Sequence, residues 1–328
     1  MKKHDSAIPR ISRRQFLQGA AAGLAFGVGG ATAVHAGRHA DKQDRYWRFA
    51  VISDTHIIDE FYTGPEGSPL DTQTVFQSTD RLLAARETVN AIDPVIDRIF
   101  VPGDFIHNYP SHEWEFYFQN RTRIDNAKEI IDGFRMPVHV GFGNHDYDIG
   151  DGLSREFTHD LFREKIGIEP YYAVDDRGWK FLHINNFLGE TMNEQGDGFN
   201  KSIGSFGETQ LQWLEAQLQQ GRPTFIFLHF PPATCQATEV ADFGLFPLMR
   251  RYRDTIKMVI NGHVHIWLQF ADLIGPLNYS MGSTRYNKDA YFLVELDNYL
   301  QTYRVLNWDQ IRWGTYWTDP YAATKKGR

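Results

Sequence analysis

The sequence predicts an α/β fold, a two-sheet sandwich flanked by helices with a site along one edge. Three observations predict it. Short β-compatible runs alternate with stretches of helical spacing as far as His265, and beyond that residue the pattern is mostly strand. Five of the apolar runs end in Asp, His or Asn, at the strand ends where open α/β sheets place their ligands. No internal repeat, heptad run or low-complexity linker divides the chain.

The elements follow in order. Residues 47–53 (WRFAVIS) form an apolar run that ends in Asp54-Thr55-His56. Residues 57–70 contain Gly64-Pro65 and Gly67-Ser68-Pro69, a loop of a length associated with function or disorder, placed by its start at the mouth of the site. Phe61 and Tyr62 in this loop either stack on a substrate ring or anchor the loop. Residues 71–92 show helical spacing, with Val75, Leu82, Leu83, Val89 and Ile92 on one face and Asp71 or Thr72 as cap. Ile99-Phe100-Val101-Pro102 then ends in Gly103-Asp104. Residues 113–134 read as a second helical stretch whose aromatics, Trp114, Phe116, Tyr117 and Phe118, suit core packing.

Val138-His139-Val140-Gly141-Phe142 is a short strand stopped by Gly143-Asn144-His145-Asp146. Residues 154–166 read as helix, and residues 171–174 and 179–184 as strands joined by an Asp175-Asp176-Arg177-Gly178 turn. An amphipathic stretch, 208–219, precedes Phe225-Ile226-Phe227-Leu228, which ends in His229 before Pro231-Pro232. Residues 243–252 are a weaker helix. Met258-Val259-Ile260 leads through Asn261 into Gly262-His263-Val264-His265. Strands over 266–270, 278–281, 291–296 and 300–306 close the pattern.

A single Asp or His after a strand is more often a turn residue than a ligand. Five such endings in one chain make the turn reading improbable, because these residue types carry oxygen and imidazole donors. The ordered set D-x-H, G-D, G-N-H-D, H and G-H-x-H, from Asp54 to His265, resembles the calcineurin-like metallophosphoesterase family. Between the motifs, Gly207-Glu208-Thr209-Gln210-Leu211-Gln212-Trp213-Leu214 is similar to the family's helix before its fourth strand. Phe227-Leu228-His229-Phe230-Pro231-Pro232 is similar to that strand's usual ending. The combination is specific, whereas no single element is.

The resemblance implies a four-layer α/β/β/α sandwich and a phosphoester hydrolase with two transition-metal ions. By that resemblance Asp54, His56 and His265 hold the first metal, Asn144, His229 and His263 hold the second, and Asp104 bridges them through its two oxygens. His265 and His263, alternating around Val264 on an extended turn, would point to different metals. Two metals about 4 Å apart activate water and hold the reacting oxygens in line. The attack then comes from hydroxide held by the metals, so no serine or cysteine nucleophile is required. His145 is implied as general acid, and Asp146 as the residue that orients or caps the turn. The mixed nitrogen and oxygen donors suit Fe, Mn or Zn better than Ca or Mg.

Departures from the family pattern bear on the substrate. Purple acid phosphatases carry a metal-binding tyrosine three residues after the bridging aspartate, where this chain has His107, which argues against that subgroup. His107 is expected to contact substrate and Asn108 to support the site. Arg285 either reaches phosphate or lies at the surface, and His183 reads as a strand histidine. A phosphodiesterase similar to bacterial cyclic-nucleotide enzymes and a phosphate-scavenging phosphomonoesterase both fit the same metal core. A non-catalytic binding module on this fold would be expected to lose ligands, and all seven ligand positions and His145 are present.

Composition limits the partners. Ser12-Arg13-Arg14-Gln15-Phe16-Leu17, the alanine- and glycine-rich run to Val34, and Val34-His35-Ala36 read as a twin-arginine export signal over residues 1–36. The run is too short and glycine-rich to span a membrane, which takes about 20 strongly apolar residues. A loose lead, 37–45, and one domain, 46–328, would follow, with the export machinery as partner and the periplasm or another exported location as destination. Removing residues 1–36 takes away five basic residues and one acid, and the net charge moves from −7 to −11. Such acidity argues against an extended nucleic-acid surface but not against a small phosphorylated substrate, since two bound cations supply local positive charge. Cys235 is the only cysteine, which rules out an intrachain disulfide and suits a buried apolar role better than a ligand.

Overall fold

In the computed structural model, residues 45–270 and 274–318 are described. The export signal and nearly all of the lead read from the sequence lie outside them.

Two mixed sheets form the centre. The first has the order β11-β10-β1-β2-β3, from β1 (Tyr46–Ile52), β2 (Arg98–Val101), β3 (Val138–Val140), β10 (Tyr291–Asp297) and β11 (Thr302–Val305). The second has the order β4-β5-β6-β7-β9-β8, from β4 (Tyr172–Asp176), β5 (Trp179–His183), β6 (Thr224–Leu228), β7 (Ile256–Asn261), β8 (Leu268–Phe270) and β9 (Asn278–Ser280). β1, β2 and β3 run parallel to one another, as do β5, β6, β7 and β9. Of the late strands, β10 pairs antiparallel with β1 and β11 pairs antiparallel with β10.

The two-residue period of a strand sends alternate side chains to opposite faces, and that period builds the layers. Trp47, Phe49 and Val51 of β1 meet Phe181, Phe225, Phe227, Met258 and Ile260 in the core between the sheets. Phe100 stacks on Phe227 at 4.5 Å and on Phe181 at 4.8 Å, while Phe49 stands edge-on to Phe100 at 5.5 Å. Each such ring contributes about 1.5–3 kcal/mol when fully buried. The intervening residues, Ala50, Ile52, Ile226, Leu228 and Val259, face the other way and pack with helical residues such as Leu82, Val89, Ile124, Leu214 and Leu248. The result is the sandwich flanked by helices that the pattern predicts.

Two helical expectations need correction. The stretch 71–92 is two helices, α1 (Pro69–Phe76) and α2 (Ser78–Asn90), separated at Gln77. Ser68 caps α1 by accepting from the Asp71 N–H at 3.0 Å, with Pro69 at the first helical position, so the helix starts earlier than Asp71. The break is stabilised by buried Arg81, which donates to the Thr74 carbonyl and to Gln77 Oε1. The stretch 113–134 divides into α3 (Phe116–Gln119) and α4 (Arg123–Asp132). Thr122 and Asp125 form a capping box that restarts the chain as α4, a signal present in the sequence as T-R-I-D. The remaining helices, α5 (Asn144–Tyr147), α6 (Arg155–Lys165), α7 (Glu208–Leu218) and α8 (Leu245–Arg251), fall on the expected stretches or follow directly from a strand end. Among the described residues no helix is long and apolar enough to cross a membrane.

Cys235 is buried, with Asn186 Nδ2 3.5 Å from its sulfur, and burial pushes the thiol up to about 12. Only the thiolate reacts readily, so a thiol-reactive dye at pH 8 should leave the native protein unlabelled and modify one thiol per chain after denaturation. Prompt labelling of the native protein would contradict this placement.

Candidate dinuclear metal centre

The parallel strands of both sheets deliver their carboxyl ends to one place. Asp54 and His56 follow β1, Asp104 follows β2, Asn144 follows β3, His229 follows β6, and His263 and His265 follow β7. Asp54, His56, Asp104, His229 and Asp146 are buried. Five of the site residues have left-handed backbone: Asp54 (φ 53°), His56 (φ 47°), Asp104 (φ 49°), His263 (φ 71°) and His265 (φ 57°). That conformation is uncommon for residues with a Cβ and costs about 1–3 kcal/mol each, so it persists only where neighbours over-determine it. Here they do. The His56 N–H donates to the Asp104 carbonyl at 2.9 Å, and the Gly262 N–H donates to the His229 carbonyl at 3.1 Å. The His263 N–H donates to Asp54 Oδ1 at 2.9 Å and so ties one sheet to the other. A Cβ on Gly262 would stand 2.5 Å from Asp54 Oδ2, so only glycine lets these two turns approach.

Two clusters of donors share one carboxylate. In the first, His56 Nε2 lies 3.2 Å from His265 Nε2 and 3.5 Å from Asp104 Oδ2, and His265 Nε2 lies 3.2 Å from Asp54 Oδ1. In the second, His229 Nε2 is 3.1 Å from Asp104 Oδ2 and 3.1 Å from Asn144 Oδ1, and His263 Nδ1 is 3.0 Å from the same Asn144 oxygen. The chain thus brings together all seven residues singled out as ligands and divides them three and three around Asp104, whose Oδ2 faces both clusters while Oδ1 accepts the His145 backbone N–H, so the two oxygens are not shared out as expected.

These separations suit a cation. Ligands held at about 2.0–2.1 Å from one ion are themselves about 3.0–3.4 Å apart. Charge gives the same answer. Burial alone would raise Asp104, but His229, His145 and His56 hold its carboxyl well below the usual range. Desolvation in turn holds His56 well below its ordinary value and His263 down to about 4. At His229 desolvation is outweighed by the Asp104 and Asp54 carboxylates, which raise the imidazole, so the buried carboxylates draw positive charge to the point where the clusters meet, a demand that a bound cation satisfies. No ion is needed to explain the sandwich itself; it is the donor set that calls for one.

A family model described as calcineurin-like phosphoesterase matches residues 48–267. The chain belongs to the calcineurin-like phosphoesterase family. Its relatives include sphingomyelin phosphodiesterase 2 of Caenorhabditis elegans, 23% identical over a match that covers 62% of this chain and 36% of that protein. A probable cyclic nucleotide phosphodiesterase of Rhodopseudomonas palustris is 27% identical, with 64% of this chain and 62% of that protein covered. The chain thus spans less than two thirds of either curated relative. Among solved structures, a dimetal phosphatase from Danio rerio has the same fold, with a TM-score of 0.53 at 17% identity, over 76% of this chain and 93% of that one.

Around the clusters, this calcineurin-like phosphoesterase differs in several respects from the sequence expectations. Asp146 does orient its turn: its carboxylate accepts N–H groups from Gly143 at 2.8 Å, Ile106 at 2.9 Å and Phe105 at 3.1 Å, clamping the β2 and β3 endings together. Asn108 supports the site as anticipated, since its Oδ1 is hydrogen-bonded to His145 Nδ1. His107, expected at the substrate, instead has both ring nitrogens engaged, one with His56 and one with Glu66. Arg285 is neither a surface residue nor free to clamp a phosphate. It is buried, with Nη2 3.1 Å from Asp71 Oδ1 and Nε donating to Thr74 Oγ1 at 3.0 Å.

Phe61 and Tyr62 are loop anchors, packed edge-on against Phe116 at 4.9 Å and Phe76 at 5.2 Å. His263 and His265 are not on extended backbone; the left-handed turn at each of them, rather than strand alternation, sends their rings to different clusters. His183 is a buried strand histidine stacked between Tyr172 and Phe227. Glu66 and the buried Asp59–Arg123 pair, which tie the 57–70 loop to the site, gave no sequence signal because their partners lie 41 and 64 residues away.

Proposed function

We propose that this chain is a dinuclear-metal phosphodiesterase. The observation that carries the reading is the meeting of seven donor side chains from five strand ends in two clusters that share Asp104. Asp54, His56 and His265 would hold one ion and Asn144, His229 and His263 the other, with Asp104 serving both. Fe, Mn and Zn match these donors. Bound there, such ions would supply Lewis acidity toward the phosphoryl oxygens and acidify a water for in-line attack.

The protein's own residues supply the rest. The Asn108 carbonyl oxygen fixes the His145 ring through Nδ1 and leaves Nε2 to serve the ester. Desolvation among the packed imidazoles, opposed by the Asp104 carboxylate, pushes His145 down to about 3, so it is neutral before substrate enters. The anionic oxygens of a bound ester favour its protonated form, which can then give its proton to the leaving alkoxide. Asp146 holds the backbone on either side, keeping His145 and Asp104 in register.

The diester preference draws on two points. The two relatives described above are named phosphodiesterases. Arg285 is committed to Asp71 and Thr74 and so offers no clamp for a monoester dianion, whereas a diester carries a single charge. A phosphomonoesterase that releases phosphate outside the cytoplasm is the second reading. Purified protein loaded with Mn is expected to cleave bis-aryl phosphate faster than aryl phosphate, and chelation should abolish both. The reverse order of rates would select the monoesterase, and no turnover with two metals bound would favour a binding module.

Residues 1–36 complete the proposal as a twin-arginine signal that exports the folded, metal-loaded protein. Changing Arg13 and Arg14 to Lys should retain the protein in the cytoplasm, and unchanged fractionation would rule the signal out.

A further inference from the structure

Loop 57–70 and His107, which follows the β2 ending, meet at the Nδ1 edge of His56. Glu66 Oε1 lies 2.9 Å from His107 Nε2, and His107 Nδ1 lies 3.0 Å from His56 Nδ1. His56 Nε2 is the nitrogen within the first cluster. The protons on this chain follow by elimination. A nitrogen that offers its lone pair to a cation leaves the proton on the other nitrogen, so His56 donates from Nδ1. His107 must then accept at Nδ1 and carry its proton on Nε2, where the Glu66 carboxylate accepts it. Hydrogen bonds from His107 and Tyr62 outweigh desolvation and hold the Glu66 carboxyl down to about 2, which keeps the acceptor anionic.

The chain is also held in place. His107 is buried, its N–H donates to the Ile57 carbonyl at 3.0 Å, and its own carbonyl accepts from buried Arg123, which pairs with Asp59. The Glu66 N–H donates to Thr72 Oγ1 at 2.9 Å. Each link on loop 57–70 thus has a second attachment, and no ring nitrogen of His107 is left for a substrate.

We propose that Glu66 and His107 are positioning residues for the first metal cluster, a carboxylate–imidazole relay that fixes the tautomer and the ring orientation of His56. The inference rests on the dinuclear reading above and adds to it two residues outside the seven donors. Partners of this kind typically change metal affinity about 10–100-fold when removed. The relay reaches only the first cluster; Asn144, His229 and His263 lie outside it.

The experiment is a Mn²⁺ titration of the chelator-stripped full chain by calorimetry, with circular dichroism to verify folding. The unaltered chain is expected to take up two ions. His107→Phe, which keeps a ring but offers no acceptor, and Glu66→Ala should weaken one of the two sites about 10–100-fold and leave the other unchanged. Glu66→Gln, which retains an oxygen for the His107 N–H, should recover part of the loss. Glu66 sits on the loop rather than in the core, so its variants decide the matter if His107→Phe fails to fold. Two sites of unchanged affinity in His107→Phe and Glu66→Ala, or equal weakening of both sites in Glu66→Ala, would overturn the relay while leaving the dinuclear reading intact. An unaltered chain that binds no Mn²⁺ would overturn both.

Discussion

Asp104→Asn is expected to abolish stable binding of the metal pair. Asp104 is the one residue common to both clusters: its Oδ2 lies 3.1 Å from His229 Nε2 and 3.5 Å from His56 Nε2. Its other oxygen accepts the His145 N–H at 2.9 Å, and an asparagine oxygen could keep that bond. The substitution therefore removes one charge and one shared donor while leaving the turn its hydrogen bond. Loss of an outer partner alone lowers metal affinity about 10–100-fold, so loss of a shared inner donor should exceed about 100-fold. Elemental analysis after dialysis against a weak chelator should find about two metal equivalents in the parent and fewer than one in the variant. Retention of both would remove Asp104 from the role of bridge and with it the central feature of the proposal.

His145→Ala should separate chemistry from metal binding. His145 lies beside the donors without belonging to the six-residue shell around Asp104, its ring stacked on His107 at 4.6 Å and edge-on to His56 at 4.7 Å. Removing it takes no donor from either cluster, so metal content should stay near that of the parent. Turnover should fall about 10²–10⁴-fold, the range for a positioned proton donor. The loss should be smaller for esters with strongly acidic leaving groups, which need no proton to depart. A variant as active as the parent on a poor leaving group would exclude His145 as the acid. Asn108→Ala offers a graded companion: it frees the ring to rotate while leaving the imidazole in place, so its loss should be smaller than that of His145→Ala.

The amino-acid sequence by itself determined the sandwich and the places where donors emerge. Near-continuous apolar runs in β1, β6 and β7 require two buried faces, and that requirement alone yields sheets covered on both sides. The strand endings at Asp54, Asp104, Asn144, His229 and His263 are local patterns, so they were legible without coordinates. Less local features were not. The breaks at Gln77 and Asn120 depend on Arg81 reaching back to the Thr74 carbonyl and the Gln77 side chain and on a capping box that propensity alone underweights. His107 drew attention only by its spacing from Asp104, and that spacing is silent about Glu66, which approaches from another loop. Arg285 illustrates the same limit, because its partner Asp71 is 214 residues away in the chain. Residue type and strand period act over a few residues and can be read in order. The state of each imidazole, the choice between anchor and substrate contact, and the division of donors between two clusters depend on which distant groups fill the space around them. Only the tertiary structure decided those.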